Sequence, residues 1–311
     1  MALDPNAVKF LLWAKNQGLG FERTLTLGRQ GFACTPAMLK GMVYDFGIPA
    51  SEEDIRRCCD HPPGTMLYSD EFLRFCGARD PVSADYSDFE GATLLHDLNK
   101  RFPEEHHAKF DLVYDGGTLE HIFDFPRALT HCLELVRPGG HFVTVTPANN
   151  FMGHGFYQFS PELFFRVLSL ENGFKLKKII LYEAFRKDAD FYEVKDPATS
   201  GLRTELKFGG AMVLGVMAER LAGVPLLGKP IQQSEYSALW EINSKAEEAG
   251  KTAGPISRSR QLRLALNPYL PNWLKQMKRK REHRRKYGAP SFNNERHFRH
   301  VSWAEVYKKQ D

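Results

Sequence analysis

FDLVYDGGTLEHIFDFPRALTHCLELVRPGGHFVTVTP, residues 110–147, is the stretch that decides the fold. It opens with a short apolar run from Phe110 to Tyr114, and alternating β-type patterning returns from His141 to Val145. The segment between them has helical spacing, carried by Leu129, Cys132, Leu133 and Val136. A strand, a glycine-bearing loop, a helix and a second strand belong in a parallel sheet, so we expect the loop at 115–121 and the loop after Pro147 to face a binding crevice.

The composition predicts one substantial globular core with an extension. Of the 311 residues, 42% are hydrophobic, which is enough for a single large core. No apolar run approaches the length of a membrane span, and the N-terminus lacks the basic and apolar regions of a secretory signal, so a cytoplasmic location is expected. The five cysteines include no CxxC pair, and neither a disulfide framework nor a metal site is predicted.

Charge and proline content divide the chain into two parts. The formal net charge is +4, but the run from Lys275 to Lys286 alone holds eight Lys and Arg residues against one Glu. Polar sequence interrupted by prolines begins at Pro225, which predicts a sheet domain at 1–224 and a basic extension at 225–311. The basic run is a candidate site for nucleic acid or another anionic surface, and the alternative is a solvated helix face.

Local patterns predict the remaining elements. Runs of β-branched and apolar residues indicate strands at 23–27, 81–89, 92–98, 175–182 and 211–218. Helical spacing and capping residues indicate helices at 7–16, 36–46, from Ser51 onward, and at 160–170, 234–248 and 273–286, with Thr35, Ser51 and Ser160 as N-caps. The polar segment at 188–208 is longer than a hairpin turn and is interpreted as a loop over one edge of the sheet.

Residues 20–220 together resemble the class I S-adenosylmethionine-dependent methyltransferases. The best-matched parts are FDLVYDGGTLEHIFD and LVRPGGHFVTVTP, which resemble the fourth strand, the following loop and the fifth strand of that fold. The resemblance implies an α/β fold, with a Rossmann-like, mostly parallel sheet flanked by helices and a C-terminal extension. It also implies S-adenosylmethionine as the cofactor.

The resemblance implies cofactor-binding roles at three strand ends. Gly28 would lie in the turn after the first strand, beside the methionine part of the cofactor. Asp85 would accept hydrogen bonds from the ribose hydroxyls, and a role as a turn residue is the alternative. Asp97, with Leu98 beside it, would lie by the adenine, and turn capping ahead of Asn99 is the alternative.

The loop after the fourth strand and the motif after the first strand are also expected to contact the cofactor. Gly116 and Gly117 would let the loop pass close to the sulfonium. Family members usually end the first strand with an acid and follow it with alternate glycines, whereas here Thr26, Gln30 and Phe32 occupy those positions. Either Asp115 or Glu120 replaces the missing anion, or cofactor binding is weakened or lost. A side chain at Gln30 would also crowd a ligand near the backbone.

Two histidines are candidate general bases. Methyl transfer from a sulfonium is an in-line displacement, so the protein chiefly aligns donor and acceptor and excludes water. A hydroxyl acceptor is helped by a base, most often His. His121 follows the fourth strand, where capping a helix is the alternative role. His154 lies between two glycines after the fifth strand, where a structural loop is the alternative.

The expected function is methyl transfer to a small-molecule or saccharide acceptor, with oxygen as the expected methylated atom. The altered first motif favours a different class of answer, a methyltransferase-like binding module that no longer catalyses. A third possibility is an RNA methyltransferase that uses the basic tail.

Overall fold

The computed structural model describes residues 2–62, 64–248 and 271–301, which belong to two compact units. The first unit contains the described residues up to 194, residues 209–231, and residues 300 and 301. The second contains residues 195–208 and the described part of 232–299. The predicted domain division at residue 224 stays a prediction.

Eleven strands are present in the described residues. They are β1 (Ala2–Leu3), β2 (Thr24–Leu27), β3 (Gly31–Phe32), β4 (Val82–Asp85), β5 (Leu94–Leu95), β6 (Phe110–Asp115), β7 (Val136–Asn149), β8 (Phe174–Glu183), β9 (Phe191–Val194), β10 (Met212–Arg220) and β11 (Phe298–Val301). β1 and β3 form a small parallel pair, and the others form one sheet in the order β11-β9-β8-β10-β7-β6-β2-β4-β5.

The large sheet confirms the predicted fold class. Its five neighbouring strands β7, β6, β2, β4 and β5 are parallel. β10 runs antiparallel to both β7 and β8. Every residue of β2 and β6 is buried, as expected for parallel strands covered on both faces. The carboxyl ends of β2, β4 and β6 therefore meet at one edge, where the candidate site lies.

Nine α-helices accompany the strands in the described residues. They are α1 (Pro5–Asn16), α2 (Pro36–Asp45), α3 (Glu52–Cys59), α4 (Asp70–Cys76), α5 (Phe125–Leu135), α6 (Pro161–Val167), α7 (Pro197–Ser200), α8 (Ser234–Glu248) and α9 (Asn272–Tyr287). Short 3-10 helices lie at Glu104–His106, Leu119–His121 and Leu170–Asn172. The predicted N-caps Thr35, Ser51 and Ser160 each accept a backbone N–H of the first turn. Within the described ranges, no helix combines the length and apolarity needed to cross a bilayer.

Four predicted elements differ from the structure. The strands predicted at 81–89 and 92–98 shorten to β4 and β5, because the residues after Asp85 form turns. The Pro-Gly-Gly segment, expected to be a turn before the strand at His141, lies inside β7, where the pairing register with β6 shifts between Phe110 and Leu112. The loop predicted at 188–208 is corrected: it contains β9, which pairs with β8, and α7, which belongs to the second unit.

A buried carboxylate lies at the centre of the second unit. Glu235, on α8, is 4% exposed and accepts hydrogen bonds from Arg203, from Lys286 Nζ at 3.0 Å and from Tyr287 Oη at 2.8 Å. Burial alone would raise its pKa, but these donors outweigh burial and lower the pKa of Glu235 to about 2. The ionised carboxylate therefore joins the segment before β10 to α8 and α9.

Candidate active site

The turn after β2 brings three strand ends into contact. Gly28 adopts φ = +69°, which glycine tolerates at no steric cost, and its N–H donates to Ala84 O at 2.7 Å. A Cβ at this position would lie 3.1 Å from Thr118 Oγ1 and 3.6 Å from Asp85 Oδ2. Thr118 Oγ1 in turn donates to Leu27 O at 2.7 Å. Gly28 thus lies in close contact with the ends of β4 and β6, where its positive φ and these neighbours disfavour a larger residue.

Asp85 ends β4 beside this turn. Its carboxylate is partly exposed, and one oxygen accepts a long bond of 3.4 Å from Ser87 N. The other oxygen is the one directed toward Gly28. The next residue, Tyr86, is 79% exposed and presents a flat aromatic surface that the sequence reading did not single out. A carboxylate and a ring at adjacent positions suit a nucleoside, whose ribose offers two hydroxyls and whose base offers a π-face.

Asp97 is engaged within its own turn. Its Oδ1 accepts from Asn99 N and Asn99 Nδ2, both at 3.0 Å, and Lys100 Nζ lies 3.6 Å from Oδ2. The bonds from Asn99, with help from Lys100, lower the pKa of Asp97. Leu98 is 4% exposed and packs into the interior. These contacts favour turn capping, and the adenine contact of Asp97 and Leu98 stays a prediction.

Gln30 fills the space over Gly116, as its position in the first motif suggested. Its side chain is buried, with Nε2 donating to Leu27 O at 2.6 Å. A Cβ at Gly116 would lie 2.3 Å from Gln30 Oε1, so only glycine fits there while the amide holds this position. Among the described residues, no donor reaches Gln30 Oε1. An unpaired buried acceptor costs about 1–3 kcal/mol, which a bound donor would relieve.

The carboxylate of Asp115 shapes the loop after β6. It is fully buried, accepts from Thr118 N at 2.9 Å and Leu119 N at 3.3 Å with one oxygen, and accepts from Thr144 Oγ1 at 2.7 Å with the other. Burial raises its pKa despite these bonds. Gly117 supports the same loop with φ = +92°. The bonds favour a structural role, and the cofactor contacts of Asp115 and Gly117 stay predictions.

The two candidate bases, one after β6 and one after β7, lie close together. The rings of His121 and His154 are 5.0 Å apart, in an edge-on arrangement. His154 Nε2 lies 3.7 Å from Oε1 of the fully buried Glu120. Burial, and then the nearby Asp115, raise the pKa of Glu120 to about 8. Partial desolvation of its ring, and then His154, lower the pKa of His121, although the residue as a whole is exposed. The sequence predicted the two loops but not their contact.

A cavity of about 290 Å³ opens beside Gly116. Most of its lining is apolar or aromatic, including Tyr114 and Phe151, and its polar lining includes Asp4 and Asn6 at the start of α1. Asp4 caps α1 by accepting from Ala7 N at 2.7 Å, and burial raises its pKa. Sequence patterns did not indicate this placement, because it depends on distant contacts such as the hydrogen bond that Asn6 Nδ2 donates to Arg186 O, 180 residues away.

Some of the predicted site residues are neighbours in the structure, and their roles stay predictions. Gly28 lies beside Asp85, Gln30 connects Gly28 to Gly116, and His121 and His154 lie side by side. No family model and no curated protein matches the chain.

Solved structures of methyltransferases do resemble it. The 1,6-didemethyltoxoflavin-N1-methyltransferase of Burkholderia thailandensis, with 1,6-didemethyltoxoflavin and S-adenosylhomocysteine bound, is 11% identical over 70% of this chain and 79% of that one, with a TM-score of 0.36. An S-adenosylmethionine-dependent methyltransferase of Mesorhizobium loti is 17% identical over 65% and 92%, with a TM-score of 0.33. Another, from Aquifex aeolicus, is 10% identical over 70% and 98%, also with a TM-score of 0.33. Likeness at this level says nothing of the acceptor.

Proposed function

We propose that this chain is an S-adenosylmethionine-dependent methyltransferase that acts on a small-molecule or saccharide acceptor, at oxygen. The observation that carries the proposal is a cluster at the strand ends: Gly28 lies beside Asp85 and Gln30, and Gln30 packs on Gly116, which also lines the cavity. The residues present suit the cofactor once the Gln30 amide moves aside, because two glycines then leave room for a ligand and a carboxylate lies beside one of them. An unpaired buried oxygen, Oε1 of Gln30, adds an acceptor for a cationic group.

Each of these residues has a separate task in holding the cofactor. Asp85 accepts from the ribose hydroxyls, and Tyr86 stacks on the adenine. The backbone at Gly28 and Gly116 admits the methionine arm when the Gln30 amide moves off Gly116. Gln30 Oε1, which packs on Gly116, and the Asp4 carboxylate, which lines the cavity beside Gly116, accept from the ammonium group that an acid at position 26 would otherwise bind. The bound cofactor supplies an electrophilic methyl group.

The acceptor side of the proposal rests on the loop after β7. His154 and His121 are the candidate bases for a hydroxyl proton. Large apolar side chains surround them: Met152 is 94%, Phe123 76% and Phe156 67% exposed. Such a rim suits an acceptor with an apolar or sugar face, which would cover these side chains and exclude water on binding.

A non-catalytic binding module is the second candidate. The observation in its favour is the packing of the Gln30 amide against Gly116, which fills part of the space that the methionine arm needs. In this second candidate function the protein has the same fold but does not bind the cofactor.

Calorimetric titration with S-adenosylmethionine and S-adenosylhomocysteine separates the two candidates. We expect saturable binding of both, and a loss of at least tenfold in affinity for Asp85→Ala, since a carboxylate accepting two hydroxyls contributes about 1.5–3 kcal/mol. Asp88→Ala, three residues away and exposed, is the matched control and should bind as the wild type does. No heat at millimolar ligand would support the binding module instead.

The basic run at 275–286 does not distinguish the methyltransferase from the binding module. Residues 275–286 lie on α9, with most of their side chains exposed. Binding of RNA or another anionic surface by this helix stays a prediction.

A further inference from the structure

The loops after β6 and β7 are joined by their backbones. Phe156 N donates to Glu120 O at 2.7 Å, and Tyr157 N donates to the same oxygen at 3.2 Å. Gly155, at φ = +73°, lies so close that an added Cβ would be 2.8 Å from Glu120 O. This contact places His154 over the 3-10 helix Leu119–His121, so the side chains of two distant segments meet in a defined arrangement.

Three potential ligand atoms meet at this junction. One carboxylate oxygen of Glu120 and one ring nitrogen each of His121 and His154 all lie within 4.8 Å of one another. Glu120 is fully buried, yet its Oε1 has no hydrogen-bond partner among the described residues, and neither has His154 Nε2. Their separation of 3.7 Å is too long for a hydrogen bond. These two buried polar atoms face each other without a hydrogen-bond partner, and a bound ion between them would satisfy both.

We propose that Glu120, His121 and His154 form a binding site for one divalent transition-metal ion, of which Zn²⁺ and Co²⁺ are the best chemical match. Two imidazoles and one carboxylate suit such ions, whereas Mg²⁺ and Ca²⁺ prefer all-oxygen ligand sets. Ligands about 2.0–2.2 Å from a metal lie roughly 3–3.5 Å apart, so a small closure of the side chains completes the site.

The surroundings support a metal centre with open positions. Thr146 Oγ1 donates to Glu120 Oε2 at 3.3 Å, which orients the carboxylate as the outer partners of metal ligands do. His121 is exposed and His154 partly exposed, so the remaining coordination positions face a route to solvent. This inference concerns metal binding alone and does not depend on methyl transfer. If the proposed function holds as well, a metal here would hold and acidify an oxygen acceptor, and His121 and His154 would act as its ligands in place of general bases.

The test uses tag-free protein stripped with a chelator and then dialysed. Titration with CoCl₂, followed by the visible absorption of Co²⁺, should show one saturable site, and calorimetry with ZnCl₂ should give the same stoichiometry. His154→Ala and Glu120→Gln should each lower the affinity for Co²⁺ by at least tenfold. His61→Ala, an exposed histidine outside the cluster, should leave it unchanged. Thermal melts of all the variants show which remain folded.

Two results would overturn the inference. The first is the absence of saturable binding of both Co²⁺ and Zn²⁺ to the wild type. The second is binding that neither His154→Ala nor Glu120→Gln weakens, which would place the ion elsewhere. MgCl₂ in the same titration should produce no saturable signal, and binding of Mg²⁺ as tight as that of Co²⁺ would contradict the nitrogen ligands. His154 is partly exposed, so its truncation keeps the test informative if Glu120→Gln fails to fold.

Discussion

At the scale of single residues, the proposed cofactor site needs an anion in place of the missing acid of the first motif. Thr26 donates its hydroxyl hydrogen to Gly28 O at 2.8 Å and carries no charge. Asp4 borders the cavity at Gly116 from the start of α1, in surroundings apolar enough to raise its pKa. The Asp4 carboxylate is therefore our candidate for the anion that the end of β2 lacks.

Replacing Asp4 by Asn tests this role without removing the helix cap, because Asn and Asp cap helices about equally well. We expect Asp4→Asn to weaken S-adenosylmethionine binding about tenfold, the loss of one charge-assisted hydrogen bond. Calorimetry measures the effect. Asp196→Asn, at the N-cap of α7 and outside the cavity, is the matched control. Equal affinities for wild type and Asp4→Asn would assign the ammonium to another partner.

At the scale of secondary-structure elements, two glycines of one helical segment should respond in opposite directions to the same substitution. Gly41 lies inside α2 and Gly47 follows the helix at φ = +62°, and an added Cβ at either would meet no atom within 4 Å. Gly41→Ala should raise the free energy of unfolding by about 0.5–1 kcal/mol, because alanine favours the helix. Gly47→Ala should lower it by about 1 kcal/mol, because its backbone is left-handed. Urea denaturation measures both, and a stabilising Gly47→Ala would contradict the assigned backbone.

Local sequence patterns predicted the helices and strands better than they predicted the contacts between them. The order strand, helix, strand at 110–147 was predicted correctly, since periodicity is a property of neighbouring residues, but the Pro-Gly-Gly segment lies inside β7. The segment at 188–208 was not, because β9 is stabilised by pairing with β8 and the sequence of 188–208 alone does not show that partner. The cavity could not be predicted for the same reason, because the fold alone brings together Asp4, Phe151 and Arg186. The unpaired state of Gln30 Oε1 also depends on packing against Gly116 and could not be predicted. The unusual presence of Gln at position 30 could be recognised from the sequence.

At the scale of the whole molecule, the second unit depends on an ionised carboxylate. The pKa of Glu235, about 2, lies below its ordinary value of 4.5. The stabilisation is therefore complete above pH 4.5 and is lost as the pH falls through about 2. Glu235→Gln should lower the free energy of unfolding by about 1–3 kcal/mol at pH 6, and the difference from wild type should shrink toward pH 2. Urea melts over this range measure it.

An exposed glutamate on the same helix supplies the control for this measurement. Glu241→Gln, also on α8, should follow the wild type at every pH. A difference between wild type and Glu235→Gln that stays constant from pH 6 to pH 2 would show that the carboxylate is not the titrating group.

The shared carbonyl of Glu120 also restricts relative motion of the two loops. Because Phe156 N and Tyr157 N both donate to that oxygen, the loop after β7 and the 3-10 helix Leu119–His121 are held to each other and move together. Displacing either segment alone would break two backbone hydrogen bonds at once. Adaptation to ligands of different size beside the two histidines would then fall to the exposed side chains of Met152 and Phe123, which can change rotamer while the backbone stays still.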